Sequence, residues 1–306
     1  MKILVATVKP FAPEAVTSIK NIVENEGHTF SIIENYQDQS DLIQAVSDAD
    51  ALIIRSDNVD KEVIEAAKQL KIVVRAGAGY DNIDLGAATQ HKVVAMNTPG
   101  QNANAVAELA IGMMVYVARK NLTGTSGSEL LGKKLGIQAY GYVGKRVAAI
   151  ARGFGMDIFA YDPFIDNSII EQDGVTALGS VTELYETCRY VSIHIPANES
   201  TIKSINSELM LSMPKGAVLI NTARKEVIDE ESLLEVMEKR DDFRYASDIA
   251  PDCADLIQEK YPGRYFFTPK KMGAQTSEAN INAGIAAANQ IVNFFRNNDT
   301  TFQVNK

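Results

Sequence analysis

Leu135-Gly136-Ile137-Gln138-Ala139-Tyr140-Gly141-Tyr142-Val143-Gly144-Lys145-Arg146-Val147 is an apolar run, a small-residue turn and then a helical pattern. That order is the strand–turn–helix of a dinucleotide site, G-x-G-x-x-G. Ala139 stands in the first glycine place, and Gly141 and Gly144 fill the second and third. Gly141 lets a pyrophosphate approach the backbone, and Gly144 lets the helix pack closely on the strand. The free N–H groups and dipole of the helix N-terminus then hold the phosphates. If the turn needs positive φ, alanine at 139 costs roughly 1 kcal/mol relative to glycine. Gln138, in a strand expected to be buried, needs a hydrogen-bond partner.

The downstream spacing supports this reading. Met156–Tyr161 reads as the next strand and ends at Asp162, 18 residues after Gly144. An acid at about 20 residues meets the ribose hydroxyls of NAD. No arginine follows directly to receive a 2′-phosphate, so NAD is favoured over NADP.

Around this unit the chain alternates apolar runs and helical patterns. Strands are expected at Lys2–Val8, Thr29–Ile33, Ala51–Arg55, Ile72–Val74 and Val93–Met96, with helices at Pro13–Asn25, Asp41–Val46 and Lys61–Lys68. Thr98–Asn102 is a breaker cluster and a plausible crossing between domains, followed by a long apolar helix, Ala103–Arg119. Beyond Asp162, strands are expected at Val191–Ile195, Ala217–Asn221, Tyr245–Asp248 and Tyr265–Phe267. Helices fall at Val147–Gly153, Val181–Thr187, Asn206–Ser212, Glu230–Arg240 and Ser277–Asn297. The fold class is therefore α/β, with two doubly wound parallel sheets and ligands at the carboxyl ends of their strands.

Composition narrows the function. The chain has 306 residues, 46% hydrophobic and 23% charged, as in a globular protein of one large or two ordinary domains. A net charge of −9 argues against a nucleic-acid surface. No run of 18 apolar residues is present, and the N-terminal run is short, reading as a first buried strand and not a signal peptide. Cys188 and Cys253 make no metal pattern and fit a reducing cytoplasm. The only histidines are His28, His91 and His194.

Polar residues gather at several strand ends. Arg75-Ala76-Gly77-Ala78-Gly79-Tyr80 is either an ordinary tight turn or a loop presenting N–H groups to a carboxylate. Arg224, in Asn221–Glu226, is either a surface ion pair or a bidentate partner for a substrate carboxylate. Ser247–Cys253 and Thr268–Ala274 complete the set.

Taken together, Val74–Asp84, Asn97–Met114, Leu135–Val147, Tyr161–Pro163, His194–Pro196, Asn221–Asp229, Asp248 and Thr268–Glu278 resemble the D-isomer-specific 2-hydroxyacid dehydrogenase family over essentially the whole chain. Within it the chain is most similar to short phosphoglycerate dehydrogenases that lack a regulatory domain. The resemblance implies a substrate domain, 1–98 completed by 283–306, and an NAD domain, 99–282, with a cleft between them.

It also implies residue roles. Arg224 becomes the catalytic arginine. Tyr140, Gly141, Tyr142, Val143, Gly144, Asp162, His194, Pro196, Thr222 and Ala223 become NAD contacts, with Asp248 on the nicotinamide carboxamide. Ala76, Gly77, Ala78 and Gly79 cradle the substrate carboxylate, and Arg55, Ser56 and Asn102 line the substrate pocket. A homodimer through the Ala103–Arg119 region is implied, and no metal. With nothing after Lys306, no serine feedback through a regulatory domain is expected.

Two departures stand out. Lys271 precedes Met272-Gly273-Ala274 where the family places its acid/base histidine, and Cys253 stands where a glutamate would orient that histidine. The changes agree with each other, because an orienting glutamate has no task without the imidazole. Some short phosphoglycerate dehydrogenases use lysine here. The extra residue in Thr268-Pro269-Lys270-Lys271 leaves Lys270 open as the acid/base and as a phosphate partner. A lysine base implies oxidation that rises toward alkaline pH.

The expected function is NAD-dependent oxidation of D-3-phosphoglycerate to 3-phosphohydroxypyruvate, the entry to serine synthesis. The alternatives are a glycerate/hydroxypyruvate reductase and, from another class, a non-catalytic NAD-sensing interaction protein.

Overall fold

The computed structural model describes residues 1–306. It divides into two compact units, Met1–Asn102 with Gln275–Lys306, and Ala103–Ala274. The boundaries expected at 98/99 and 282/283 therefore move to 102/103 and 274/275. Thr98 stays with the first unit because its N–H donates to Gly77 O (2.9 Å). The start of the last helix stays there too, since Asn280 Oδ1 accepts from Arg55 Nη2.

In the first unit, strands β1 (Lys2–Thr7), β2 (Thr29–Glu34), β3 (Ala51–Ile54), β4 (Ile72–Arg75) and β5 (Val94–Asn97) form a parallel sheet of order β2-β1-β3-β4-β5. Both faces of Ala51–Ile54 are buried, which is why these strands read as continuous apolar runs. Helices α1 (Pro13–Asn25), α2 (Gln39–Val46), α3 (Lys61–Ala66) and α4 (Leu85–Gln90) connect them. Asp60 and Asp84 cap α3 and α4 by accepting from Val63 N and Ala87 N. The six-residue α4 was not foreseen: its short, small-residue sequence carries too little periodicity.

The second unit opens with α5 (Ala103–Ala118), buried around much of its circumference, as its nearly unbroken apolar sequence requires. Strands β6 (Lys134–Gln138), β7 (Asp157–Tyr161), β8 (Thr176–Ala177), β9 (Tyr190–Ile193), β10 (Val218–Asn221), β11 (Arg244–Ser247) and β12 (Tyr265–Phe267) form a parallel sheet. Its order is β12-β11-β10-β9-β6-β7-β8. The connecting helices are α6 (Tyr142–Gly153), α7 (Asn167–Gln172), α8 (Val181–Thr187), α9 (Ser207–Ser212), α10 (Glu230–Lys239) and α11 (Ala254–Lys260). Gly144, Val147, Ala148 and Ala151 make the buried stripe of α6 at helical spacing. The order reverses between β6 and β9, so the ligand-binding crevice of this sheet belongs at the carboxyl ends of those two strands.

The chain then returns to the first unit as α12 (Ser277–Asn297), capped by Thr276. Small residues let α12 lie close to α1: a Cβ on Gly284 would stand 2.9 Å from Ile19 Cδ1. No helix is long and apolar enough to cross a membrane.

Candidate active site

The β6–α6 turn has the backbone its sequence foretold. Ala139 sits at φ 74°, a left-handed conformation that costs a non-glycine residue roughly 1–2 kcal/mol. The turn is held from three sides. Ala139 N donates to Tyr161 O (2.9 Å), His194 N donates to Gln138 O (2.9 Å) and Tyr140 N donates to Asp162 Oδ2 (2.8 Å). The buried Gln138 side chain is satisfied, its Oε1 accepting from Tyr185 OH at 2.9 Å.

Space around the glycines matches a phosphate turn. A Cβ on Gly141 would meet nothing, whereas one on Gly144 would strike Ala139 O and come within 3.0 Å of Ile137 Cγ2. No side chain caps the N-terminus of α6, so its first N–H groups face outward for an anion. Tyr140 contributes only backbone here, because its ring is buried and its hydroxyl bonds Asp173 Oδ2 (3.2 Å). Burial and Asp173 push that phenol up to about 12. Asp162 also accepts from Phe164 N (2.8 Å), so this carboxylate fixes the turn as well as standing at the ribose position.

Past β9, His194 is clamped between Ser192 Oγ on Nε2 (3.0 Å) and Thr222 Oγ1 on Nδ1 (3.3 Å). Burial brings its imidazole down to about 3, so it is neutral at physiological pH and no acid/base.

Two cations meet beyond β10 and β12. Asn221, buried at the end of β10, accepts from Ala223 N (2.9 Å) and donates to Arg224 O (2.9 Å), which folds the turn carrying Arg224. Arg224 Nη1 donates to Ala223 O (3.0 Å), and Lys271 Nζ donates to the same oxygen (2.7 Å). One carbonyl thus gathers a permanent cation and a titratable one. Although Lys271 keeps solvent exposure as a residue, its ammonium end is anchored there. Burial, then Arg224, lowers it to about 8. Lys270 is exposed and takes no part in this contact.

Asp248 sets the Lys271 loop. Its buried carboxylate accepts from Thr268 Oγ1 (3.0 Å), Met272 N (2.9 Å) and Gly273 N (2.6 Å). A Cβ on Gly273 would stand 2.8 Å from Asp248 Oδ2, so only glycine permits that approach. Cys253 Sγ carries no orienting charge, since burial and Glu230 push its thiol up to about 12. Sequence reading missed Glu230, whose carboxylate accepts from Asp252 N and Cys253 N (both 2.8 Å). A glutamate opening a helix looks like an ordinary first-turn acid, and nothing local distinguishes it.

In the first unit, Arg55 is less available than its position suggested. Nη1 donates to Lys9 O and Pro10 O (both 2.8 Å), Nη2 to Asn280 Oδ1 (2.5 Å), and the guanidinium lies over the Phe11 ring. Arg75, which sequence reading passed over, donates only through Nε, to Arg55 O (3.0 Å). Its guanidinium lies across Gly77, where φ is 156° and a Cβ would collide with Arg75 Nη1. The N–H groups of Ala78 and Gly79 make no bond within the chain, while Asn97 Nδ2 pins Ala78 O (2.6 Å). Ser56 is exposed and Asn102 half-buried. A groove of about 360 Å³ along α12 is lined by residues such as Asn282, Asn289 and Asn293 and by no cationic or nucleophilic side chain.

Comparison with known proteins identifies the family. Residues 3–305 match the D-isomer specific 2-hydroxyacid dehydrogenase catalytic domain. A D-3-phosphoglycerate dehydrogenase of Methanocaldococcus jannaschii is 32% identical over 97% of the chain, which spans 58% of that protein's length. A hydroxypyruvate reductase of Thermotoga maritima is 32% identical over 92% of the chain and 95% of that protein. A crystal structure of NAD+-bound 3-phosphoglycerate dehydrogenase from Entamoeba histolytica is 49% identical, with a TM-score of 0.85, covering 100% of this chain and 99% of that one. With a family match across nearly its whole length, on a fold whose strand ends carry the motifs described, this chain belongs to the D-isomer-specific 2-hydroxyacid dehydrogenase family.

Proposed function

We propose that the chain is an NAD-dependent dehydrogenase interconverting D-3-phosphoglycerate and 3-phosphohydroxypyruvate, the entry step of serine synthesis. The observation that carries the reading is the meeting of Arg224 Nη1 and Lys271 Nζ on Ala223 O. The Ala103–Ala274 unit serves the nucleotide and the other unit the substrate.

The chemistry NAD would supply when bound is that of the acceptor for the hydride leaving C2 of the hydroxy acid. The residues that would hold it are the open turn at Gly141, the uncapped N-terminus of α6 and the carboxylate of Asp162. Arg224 pairs with the substrate carboxylate and polarises the C2 oxygen, with exposed donors suited to a fork-shaped contact. Lys271 takes the proton from that oxygen in oxidation and returns it in reduction, where its ammonium also offsets alkoxide charge. An amine near 8 holds both protonation states around neutral pH, as a reversible acid/base requires. Asp248 acts through the Lys271 loop as a positioning residue, beside any contact with the nicotinamide.

For the phosphate, Arg75 is the better partner than Arg55. Its two Nη groups are unpaired, beside the free N–H groups of Ala78 and Gly79. The test is NADH oxidation with phosphohydroxypyruvate beside hydroxypyruvate, for the wild type and Arg75→Gln. The expected outcome is a preference for the phosphorylated acid. Arg75→Gln should raise its KM by about tenfold or more, the worth of a charge-assisted contact, and leave hydroxypyruvate nearly unchanged. A wild-type preference for hydroxypyruvate would replace this reading with a reductase, the activity named for the Thermotoga relative. Retained NAD binding with no turnover of either acid would remove the enzyme reading.

A further inference from the structure

We infer that Asp57 is a positioning residue that makes the first unit selective for a phosphorylated acid, acting through the Arg55 backbone on Arg75. The inference rests on the reading of Arg75 as the phosphate partner. Asp57 follows β3, at the carboxyl edge of the sheet, where ligands of open α/β sheets bind. It is 6% exposed and forms no ion pair.

A buried carboxylate without a cation is costly unless donors satisfy it, and here each donor comes from a different strand end. Oδ1 accepts from Val8 N (2.6 Å), just past β1, and from Tyr36 OH (2.7 Å), just past β2. Oδ2 accepts from Arg55 N (3.1 Å), just past β3. Burial, and then Asp57, raise the Tyr36 phenol, so its hydroxyl stays a donor. One charge thus joins three of the five strand ends through charge-assisted bonds.

The fourth end is reached through Arg55. Its carbonyl accepts from Nε of Arg75, the last residue of β4 (3.0 Å), and from Asn82 Nδ2 (3.2 Å). Asn82 Nδ2 also donates to Asp57 O (2.7 Å), and a parallel bridge between Val59 and Ile83 fastens the same two segments. Arg75 therefore takes its direction from a carbonyl whose residue Asp57 holds. The Nε bond is the only one its guanidinium makes, so this contact and the Gly77 backbone aim both Nη groups. Such aim matters at a binding site, where a misplacement of about 1 Å can cost roughly a hundredfold.

The experiment measures discrimination, the ratio of kcat/KM for phosphohydroxypyruvate to that for hydroxypyruvate, beside thermal stability. The proteins are wild type, Arg75→Gln, Asp57→Asn and the double variant. Asp57→Asn turns an acceptor toward donors that include Arg55 N, and should lower discrimination about three- to tenfold. Arg75→Gln should lower it about tenfold, and adding Asp57→Asn to Arg75→Gln should lower it no further, because both act at one guanidinium. Tyr36→Phe keeps the charge and removes one donor; a two- to threefold fall, likewise absent in the Arg75→Gln background, keeps the test open should Asp57→Asn fold poorly. Lower stability with discrimination unchanged in Asp57→Asn and Tyr36→Phe would make Asp57 a purely structural residue and overturn the inference. So would losses that add in full to that of Arg75→Gln. If Arg75→Gln itself keeps full discrimination, the phosphate reading of Arg75 fails and takes the inference with it; loss in Arg75→Gln without loss in Asp57→Asn overturns the inference alone.

Discussion

Lys271 and Lys270 are neighbours with the same side chain, and only the fold separates them. Asp248 gathers the N–H groups of Met272 and Gly273, and the loop it fixes delivers Lys271 Nζ to the carbonyl that Arg224 also uses. Burial and Arg224 then lower that ammonium to about 8. The sign for catalysis follows. Oxidation needs the neutral amine, so its rate should climb about tenfold per unit below pH 8 and level off above about 9. Reduction should run the opposite way. Lys271→Met is expected to lower kcat by about a hundredfold to ten-thousandfold and abolish that profile, with NAD affinity retained. Lys270→Met should leave the profile in place. Stopped-flow rates from pH 6 to 10 decide it; a Lys271→Met enzyme with unchanged kcat would remove lysine from the proton-transfer role. Arginines show the same lesson in reverse. Arg55 and Arg75 read alike in sequence, and their difference lies in partners from Lys9, Pro10 and Asn280, far away in the chain.

At the level of elements, the parallel strands were legible because burial on both faces writes them as short apolar runs, and their ends fell within a residue or two of expectation. The dinucleotide turn was legible for a different reason, since its glycines have unlike tasks. Ala139 occupies a left-handed conformation, and Gly144 faces Ala139 O with no room for a methyl. Four elements were not legible. Strand β8 has only two residues, and helices α4, α7 and α11 bury at most one large apolar side chain each, whereas the equally short α3, α8 and α9 bury an adjacent large pair and were read. The turn yields a paired prediction. Ala139→Gly relieves a left-handed alanine but adds glycine's unfolded-state entropy, for a net gain of about 1 kcal/mol or less. Gly144→Ala forces the helix off the strand and should cost about 1–3 kcal/mol and weaken NAD binding. Urea unfolding of both variants measures the contrast. Destabilisation by Ala139→Gly would mean that the surrounding bonds from Tyr161, His194 and Asp162 tolerate alanine without strain.

The molecule as a whole is two units with separate cores. The clusters containing Leu135, Ile137, Val191 and Leu219 draw their buried residues only from positions 107 to 257. Those of the other unit draw on the N-terminal segment and on α12, which supplies Ala283, Ala287, Ala288 and Ile291. The two are therefore unequal when cut apart. Residues 103–274 keep every buried member of their cores, and as a fragment should unfold cooperatively and bind NAD with nearly the affinity of the full chain. Residues 1–102 lose the α12 contribution and expose Ile19 and Phe11, which α12 covers. Removing that apolar cover costs on the order of 5–10 kcal/mol, comparable to the whole stability of a domain, so this fragment should be unfolded or molten. Adding residues 275–306 in trans should restore helical signal, because the covering face of α12 is one continuous stripe at helical spacing. Circular dichroism and NAD titration of the three pieces test this. A stable 1–102 fragment would show that the sheet and its first four helices close their own core, with α12 adding only surface.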